Sequence, residues 1–377
     1  MIKLTIAGDF CPNNRVAEII DNGKCQDVLR SVKPYIESDY SIVNLEAPIV
    51  HGYAEPIPKW GPNLKCSNHV IDALKYASFA CVTLANNHFY DYGEEGALTT
   101  IEDLKNAGID YVGAGRNIHE ASETLYKVIK GKRFAFINCC EHEYSVATEK
   151  SAGSNPINPV RQYYAIVESR KKSDYVVLIV HGGVEMYDLP TPRMIEIYRF
   201  FIDAGADVVI NHHQHCYSGY EKYHGKYIFY GLGNFCFDMV ERRDSIWNTG
   251  FVLNLFFEGK EITKEIVPYT QCNSKPSVEI LEGVDKDGFF SRIKSLNMTI
   301  SNSESLEREY LKYVNETNEI YDVFHPYTNK YLRYLYRKGL IPSFISKSQL
   351  RSIENKIVCE SHYDRFVRMI RSKLNKD

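Results

Sequence analysis

The stretch Asp207-Val-Val-Ile-Asn-His-His-Gln-His215 places three imidazoles within four residues, directly after a short apolar run. The run reads as a buried strand. Histidines held that close repel one another when protonated. Metal ligation requires the neutral ring and so removes the conflict. His212, His213 and His215 are therefore candidates for a metal centre at a strand end.

Moving outward, the same punctuation recurs. A strand over 4–7 opens onto Gly8-Asp9, and one over 41–45 leads to Glu46 in the motif Asn44-Leu45-Glu46. A strand over 79–84 runs into Asn86-Asn87-His88-Phe89-Tyr90-Asp91. A strong apolar strand over 175–180 precedes His181-Gly182-Gly183, with Glu185 on the same loop. A strand over 227–230 exits through Gly231-Leu232-Gly233-Asn234. Amphipathic segments lie between the earlier strands: 26–38, 71–76, 94–106 closed by Gly108, 159–172, and 191–204 ending at Gly205. This alternation predicts a βαβ core with parallel pairing, 110–112 and 208–210 completing it. Segments 127–129 and 133–138 flank Gly131 as a hairpin, and strands over 251–257 and 262–267 have no helix between them. The expectation is a mixed pair of sheets with helices outside. In open α/β sheets the ligand crevice lies beyond the carboxyl ends of the strands, where these motifs fall.

Taken singly the motifs are ambiguous. Gly8-Asp9 also suits a turn, Glu46 a solvated loop, and Asn86-Asn87 an Asn-rich turn. His181 also suits a satisfied core histidine, and Asn234 a tight turn rather than a group orienting a ligand histidine. Together they offer carboxylates, amide oxygens and several imidazoles, a mixed set that suits Mn, Fe or Zn. Such a set can hold two divalent ions about 3.5–4 Å apart, a spacing that clamps attacking and leaving oxygens. His88 can donate a proton to a leaving group, with Asp91 holding its ring. Neither a serine nucleophile elbow nor a P-loop competes.

Bulk properties set bounds. The 377 residues are 44% hydrophobic and 25% charged, ordinary for a globular protein. Net charge is -3, so no global field points to nucleic acid. The N-terminus opens as a strand without an apolar signal core, and no run approaches the ~20 apolar residues of a membrane helix. Ten scattered cysteines without a C-x-x-C pair suit reduced thiols. These features predict a cytoplasmic protein.

Composition shifts near residue 280. From Lys286 to Asp377 there are 17 Lys and Arg against 11 Asp and Glu, and the pattern becomes helical and Tyr-rich (Tyr310, Tyr313, Tyr321, Tyr327, Tyr331, Tyr334, Tyr336). The division is a main domain over 1–275 and a helical extension over 276–377. The extension is either a cap packed on the main domain or a basic surface for an acidic ligand or partner.

The order Asp, carboxylate, Asn-His, His, His-x-His resembles the calcineurin-like metallophosphoesterases. The finer resemblance is to the CapA/PGA_cap capsule-synthesis family. It rests on Leu84-Ala85-Asn86-Asn87-His88, Asp91-Tyr92-Gly93, Gly113-Ala114-Gly115, Asp203-Ala204-Gly205-Ala206-Asp207 and Tyr230 to Phe235, and spans about residues 1–270. It implies a four-layer αββα sandwich. Carried over residue by residue, it implies metal ligation by Asp9, Glu46, Asn87, His181, His213 and His215, with His88 as proton donor. Asn86, Glu185, His212 and Asn234 stand as supporting or substrate-contacting residues. It also implies a role in making or trimming a surface polymer such as poly-γ-glutamate.

Two positions depart from the phosphoesterase pattern. Cys11 stands where the Asp-x-His first motif has its histidine, and Glu46 where the bridging aspartate is usual. One metal site is then weaker, or Cys11 ligates as thiolate. The leading expectation is a dinuclear metal-dependent hydrolase acting on a phosphoester or a surface-polymer precursor. Two alternatives are an amide hydrolase on a γ-glutamyl polymer and a non-catalytic assembly factor that binds the polymer.

Overall fold

The computed structural model describes residues 1–317, 329–342 and 345–374. Among them, two large sheets carry the fold. The first runs Val278–Ile280, Glu261–Gln271, Thr249–Glu258, Ile2–Cys11, Tyr40–Leu45, Cys81–Thr83, Asp110–Val112, with Asn234–Phe237 paired beside Ile2–Cys11. The second runs Tyr220–Tyr223, Lys226–Phe229, Val208–His212, Tyr175–His181, Lys132–Cys140, Leu125–Ile129. Strands separated by helices pair in parallel. Thr249–Glu258, Glu261–Gln271 and Val278–Ile280 pair antiparallel in succession, as their short connections require, while Lys226–Phe229 and Asn234–Phe237 join their sheets in parallel.

Period-two alternation makes each central strand serve two cores. In Tyr175–His181, Val177 and Ile179 face the first sheet, meeting Ile6, Ile42, Leu253 and Leu255. Val176, Leu178 and Val180 face outward onto Ile166, Tyr198 and Phe201 of helices Pro159–Lys172 and Pro192–Ala204. The outer face of the first sheet is covered by helices Asn14–Asp21, Val70–Tyr76 and Gly93–Ala107, through residues such as Val16, Leu74 and Ile101. The layers are therefore helix, sheet, sheet, helix.

Local chemistry places the helix ends. Asn158 caps Pro159–Lys172 by accepting from Val160 and Arg161 N–H, with Pro159 at the start and Arg170, Lys171 and Lys172 in the last turn. Thr191 caps Pro192–Ala204. Leu125–Ile129 and Lys132–Cys140 form the expected hairpin around Lys130 and Gly131, both at positive φ.

Three local expectations change. The helix over 26–38 is two pieces, Cys25–Leu29 and Lys33–Ile36. Pro34 lacks an N–H and its ring would strike the preceding turn, so it opens a new helix instead. The first strand extends to Cys11, and Tyr220–Tyr223, Asn234–Phe237 and Val278–Ile280 are additional short strands. Such segments are too short for a periodic signal.

The C-terminal region is helical: Gly283–Ile300, Ser303–Glu316, Lys330–Arg337, Lys347–Val358 and Glu360–Leu374. It shares the cores of the sandwich. Phe289 and Ile293 enter the core between the sheets, while Leu296, Leu306, Tyr310 and Met369 enter the outer one. Tyr313 stacks on Tyr187 at 4.3 Å, whereas Tyr331, Tyr334 and Tyr336 are exposed; Tyr321 and Tyr327 lie outside the described residues. Among the described residues, no helix is long and apolar enough to cross a membrane.

Candidate metal centre

Parallel register brings the motif residues to one rim. His181 and His212 are direct neighbours across two strands, and Asp9 pairs with Asn44 on one side and Asn234 on the other. The approach is close. A Cβ on Gly8 would lie 1.8 Å from the Gly233 carbonyl oxygen, so only glycine lets the Asp9 strand and the 231–234 exit press together. Asp9 N–H donates to that carbonyl at 3.3 Å.

The side chains then converge. Asp9 Oδ1 accepts from Asn44 Nδ2 at 2.8 Å, and Asp9 Oδ2 accepts from the His213 backbone N–H at 3.1 Å. His212 Nδ1 is 3.3 Å from Asp9 Oδ1, off the hydrogen-bond direction. His181 Nε2 lies 3.1 Å from His213 Nδ1, 3.0 Å from Asn87 Oδ1 and 3.5 Å from Glu46 Oε1. His215 Nε2 lies 3.7 Å from the same Glu46 oxygen, and its Nδ1 is 2.9 Å from Asn234 Oδ1. Ligand atoms of Glu46, His181 and His213 lie within 4.8 Å of one another, as do those of Asp9, Glu46 and His215. Glu185, exposed at the rim, makes a third such group with His213 and His215.

The fit to cations rests on Glu46. Its side chain is fully buried, and neither carboxylate oxygen has a hydrogen-bond donor. An isolated carboxylate there is costly, and burial, with Asp9 and Glu185 nearby, pushes its pKa well up. A divalent ion among these carboxylates and imidazoles would supply the missing positive charge. The rings suit that role. Burial, reinforced by His213, holds His181 well below the usual imidazole range, and burial brings His213 down to about 4. Both are thus neutral at physiological pH, the ligating form. Burial pushes Asp9 upward, but His212, His181 and His215 more than offset it and hold its pKa below the ordinary range. His213 and His215 also adopt positive φ, 91° and 54°. Such backbone costs about 1–3 kcal/mol per residue and concentrates at functional sites.

Beside the cluster, His88 Nδ1 is 2.6 Å from Asp91 Oδ2. The carboxylate accepts only, so Nδ1 carries the proton and Nε2 is the free ring nitrogen. Burial, with the nearby Lys59, lowers the His88 pKa. Lys59 donates to Asp91 Oδ1 and sits 3.1 Å from His88 Nδ1. Asn86 ties its loop to the end of the neighbouring strand, donating to the Leu45 carbonyl and accepting from His88 N–H.

Cys11 departs from the thiolate expectation. Pairing with Asn234–Phe237 shifts register between Asp9 and Phe10, and Phe10 and Cys11 both fall into the outer core. Burial, then Glu46, pushes the Cys11 thiol well up. It joins none of the candidate ligand groups among the described residues.

Sequence reasoning missed Lys59, Asn44 and the C-terminal contribution. Lys59 lies in residues 47–69, a long connection with almost no regular structure, and that length was the available signal. Above the cluster opens a cleft of about 450 Å³ lined by Asn87, His88 and Lys59 together with Tyr313, Lys356, His362 and Arg365 from the C-terminal helices.

An αββα sandwich with a buried carboxylate–imidazole cluster at the carboxyl ends of its strands defines the class of this protein. The family model "Bacterial capsule synthesis protein PGA_cap" matches residues 3–239, and the chain belongs to that family. It is 34% identical over 246 residues to the capsule biosynthesis protein CapA of Bacillus anthracis, covering 63% of this chain and 60% of that protein. It is 29% identical over 251 residues to the PGA biosynthesis protein CapA of Bacillus subtilis, covering 65% and 66%. The matched region thus spans less than two thirds of either relative's length. A crystal structure of a hypothetical protein from Thermus thermophilus superposes with a TM-score of 0.44 at 13% identity, over 71% of this chain and 99% of that one.

Proposed function

We propose that this protein is a metal-dependent hydrolase acting in the biosynthesis of a capsular polymer. The observation that carries the reading is the Glu46 carboxylate, fully buried and without a donor, facing His181 Nε2 and His215 Nε2. Asp9, Glu46, Asn87, His181, His213 and His215 would hold two divalent ions of the Mn, Fe or Zn class. Such a pair supplies Lewis acidity and acidifies water to near neutrality.

The chain's own residues do the rest. Asp91 fixes the His88 ring by its Nδ1 and offsets the charge of the imidazolium, the form in which Nε2 carries the proton that passes to the leaving oxygen. Lys59 braces Asp91 and lines the cleft. Asn234 orients His215 through Nδ1, as outer groups orient metal ligands. In the lining the cations Lys59, Arg242, Lys356 and Arg365 outnumber the carboxylates Glu143 and Glu185, which favours an anionic substrate, such as a phosphoester. The same lining suits a carboxylate polymer, which supports a second reading in which the bond cut is an amide of a glutamyl polymer.

The test is hydrolysis of aryl phosphate and of poly-γ-glutamate by metal-stripped protein, before and after adding Mn²⁺ or Zn²⁺. Metal-dependent turnover of the phosphate, lost in His88→Ala, supports the first reading. Turnover of the polymer alone supports the second. No turnover of either with metal bound contradicts a hydrolase.

A further inference from the structure

A second group of ligand atoms lies in the wall of the cleft, where the C-terminal helices meet the sandwich. Glu143 follows strand Lys132–Cys140, and Cys359 sits between helices Lys347–Val358 and Glu360–Leu374. His362 follows in the first turn of the latter helix. One carboxylate oxygen, one sulfur and one imidazole nitrogen from these three residues lie within 4.8 Å of one another. We propose that Glu143, Cys359 and His362 form a further metal site, for a borderline-soft divalent ion of the zinc class, that fastens the C-terminal helix pair to the main domain.

The donor set selects the ion. Thiolate and imidazole favour zinc over the harder cations that an all-oxygen site would take. Cys359 immediately precedes the helix and His362 lies in its first turn, which brings their donors together. Three protein ligands leave a fourth tetrahedral position. Glu143 and His362 both line the cleft, so water can reach it.

The surroundings are built in the manner of ligand support. Asn355 Nδ2 donates to Glu143 Oε2 at 3.4 Å, and Cys359 Sγ donates to Glu141 Oε2 at 3.5 Å. Burial, with Glu141 and Glu143 beside it, keeps the free thiol protonated; an ion would displace that proton onto the Glu141 carboxylate that already accepts it, leaving Cys359 to ligate as thiolate. Cys359 is 1% exposed, so oxidants in solvent do not compete for it. Ser361 Oγ donates to Glu141 Oε1 at 2.7 Å, and His142 Nδ1 lies 2.6 Å from Glu360 Oε1. These contacts register the helix so that the trio can form without the ion.

The site shares no ligand with the rim cluster. Cys359 and His362 lie beyond the segment matched by the family model. The rim groups contain no sulfur donor, and the two groups adjoin where Glu143 Oε1 lies 3.9 Å from His213 Nε2. The inference therefore stands whether or not the rim hydrolyses anything.

Sulfur ligation gives it a private readout. The full chain, stripped of metal under reducing conditions, is titrated with Co²⁺ and its near-ultraviolet absorption followed. A thiolate-to-Co²⁺ charge-transfer band is expected in the native chain and in Asp9→Asn. It is expected to vanish in Cys359→Ser and to weaken in His362→Gln, and Cys359→Ser should bind one equivalent fewer of zinc. Absence of the band in the native chain, or its survival in Cys359→Ser, would overturn the proposal. The native titration decides even if a variant fails to fold.

Discussion

Asp9, buried at the rim, and His362, in the wall of the cleft, are held in place by different means. Asp9 sits in a strand hydrogen-bonded to neighbours on both sides, with a backbone carbonyl pressed against the preceding glycine. His362 rides on a helix whose hold near the cleft is a handful of side-chain contacts: Ser361 to Glu141, Glu360 to His142, Asn355 to Glu143. The rim is positioned by backbone, the opposite wall by side chains. A site that must hold ions to within a fraction of an ångström belongs on the first kind of support. A wall that must admit a substrate can rest on the second.

The largest effect should come from the rim. His213→Ala is expected to remove metal binding and lower any hydrolytic rate by roughly a thousandfold or more, several kcal/mol of transition-state stabilisation. Metal analysis and single-turnover kinetics check this. If metal content and rate both survive, the rim is not the centre. Gly8→Ala should cost about 3 kcal/mol or more in urea unfolding, because its Cβ meets backbone that cannot yield. An unchanged midpoint would show that the rim backbone adapts.

Phe289→Ala sharpens the other half of the comparison. Phe289 is 3% exposed and packs on Tyr217 at 4.5 Å and Phe251 at 5.9 Å. Its loss should cost about 3 kcal/mol of global stability. If only the C-terminal helices loosened in hydrogen exchange, while the sheets kept their protection, they would be a separate unit. The smallest effect is expected for Asp91→Asn. Its ring-holding bond to His88 remains as a weaker one, so rate should fall about ten- to a hundredfold with metal content unchanged. Loss of metal instead would place Asp91 among the ligands.

The same contrast explains what could be read before any coordinates. Rim residues announce themselves because each follows an apolar strand, and strand ends in such a fold face one crevice. His213 and His215 were legible for that reason, as were the parallel core and the hairpin at Gly131. Lys59 was not, since no period marks a long irregular connection. Cys359 and His362 were invisible because nothing local links a helix junction to Glu143, more than two hundred residues earlier. Cys11 drew notice only by its place in the first motif, and a register shift after Asp9 leaves its side chain in the outer core. The helix over 26–38 failed because its apolar spacing runs on through Pro34 while its hydrogen bonds cannot.

Anomalous diffraction at the manganese edge, from crystals of the full chain grown with Mn²⁺, tests the account where it is most exposed. Two peaks are expected, both within coordination distance of Glu46 and divided among Asp9, Asn87, His181, His213 and His215. A map with no peak beside the Glu46 carboxylate would contradict it.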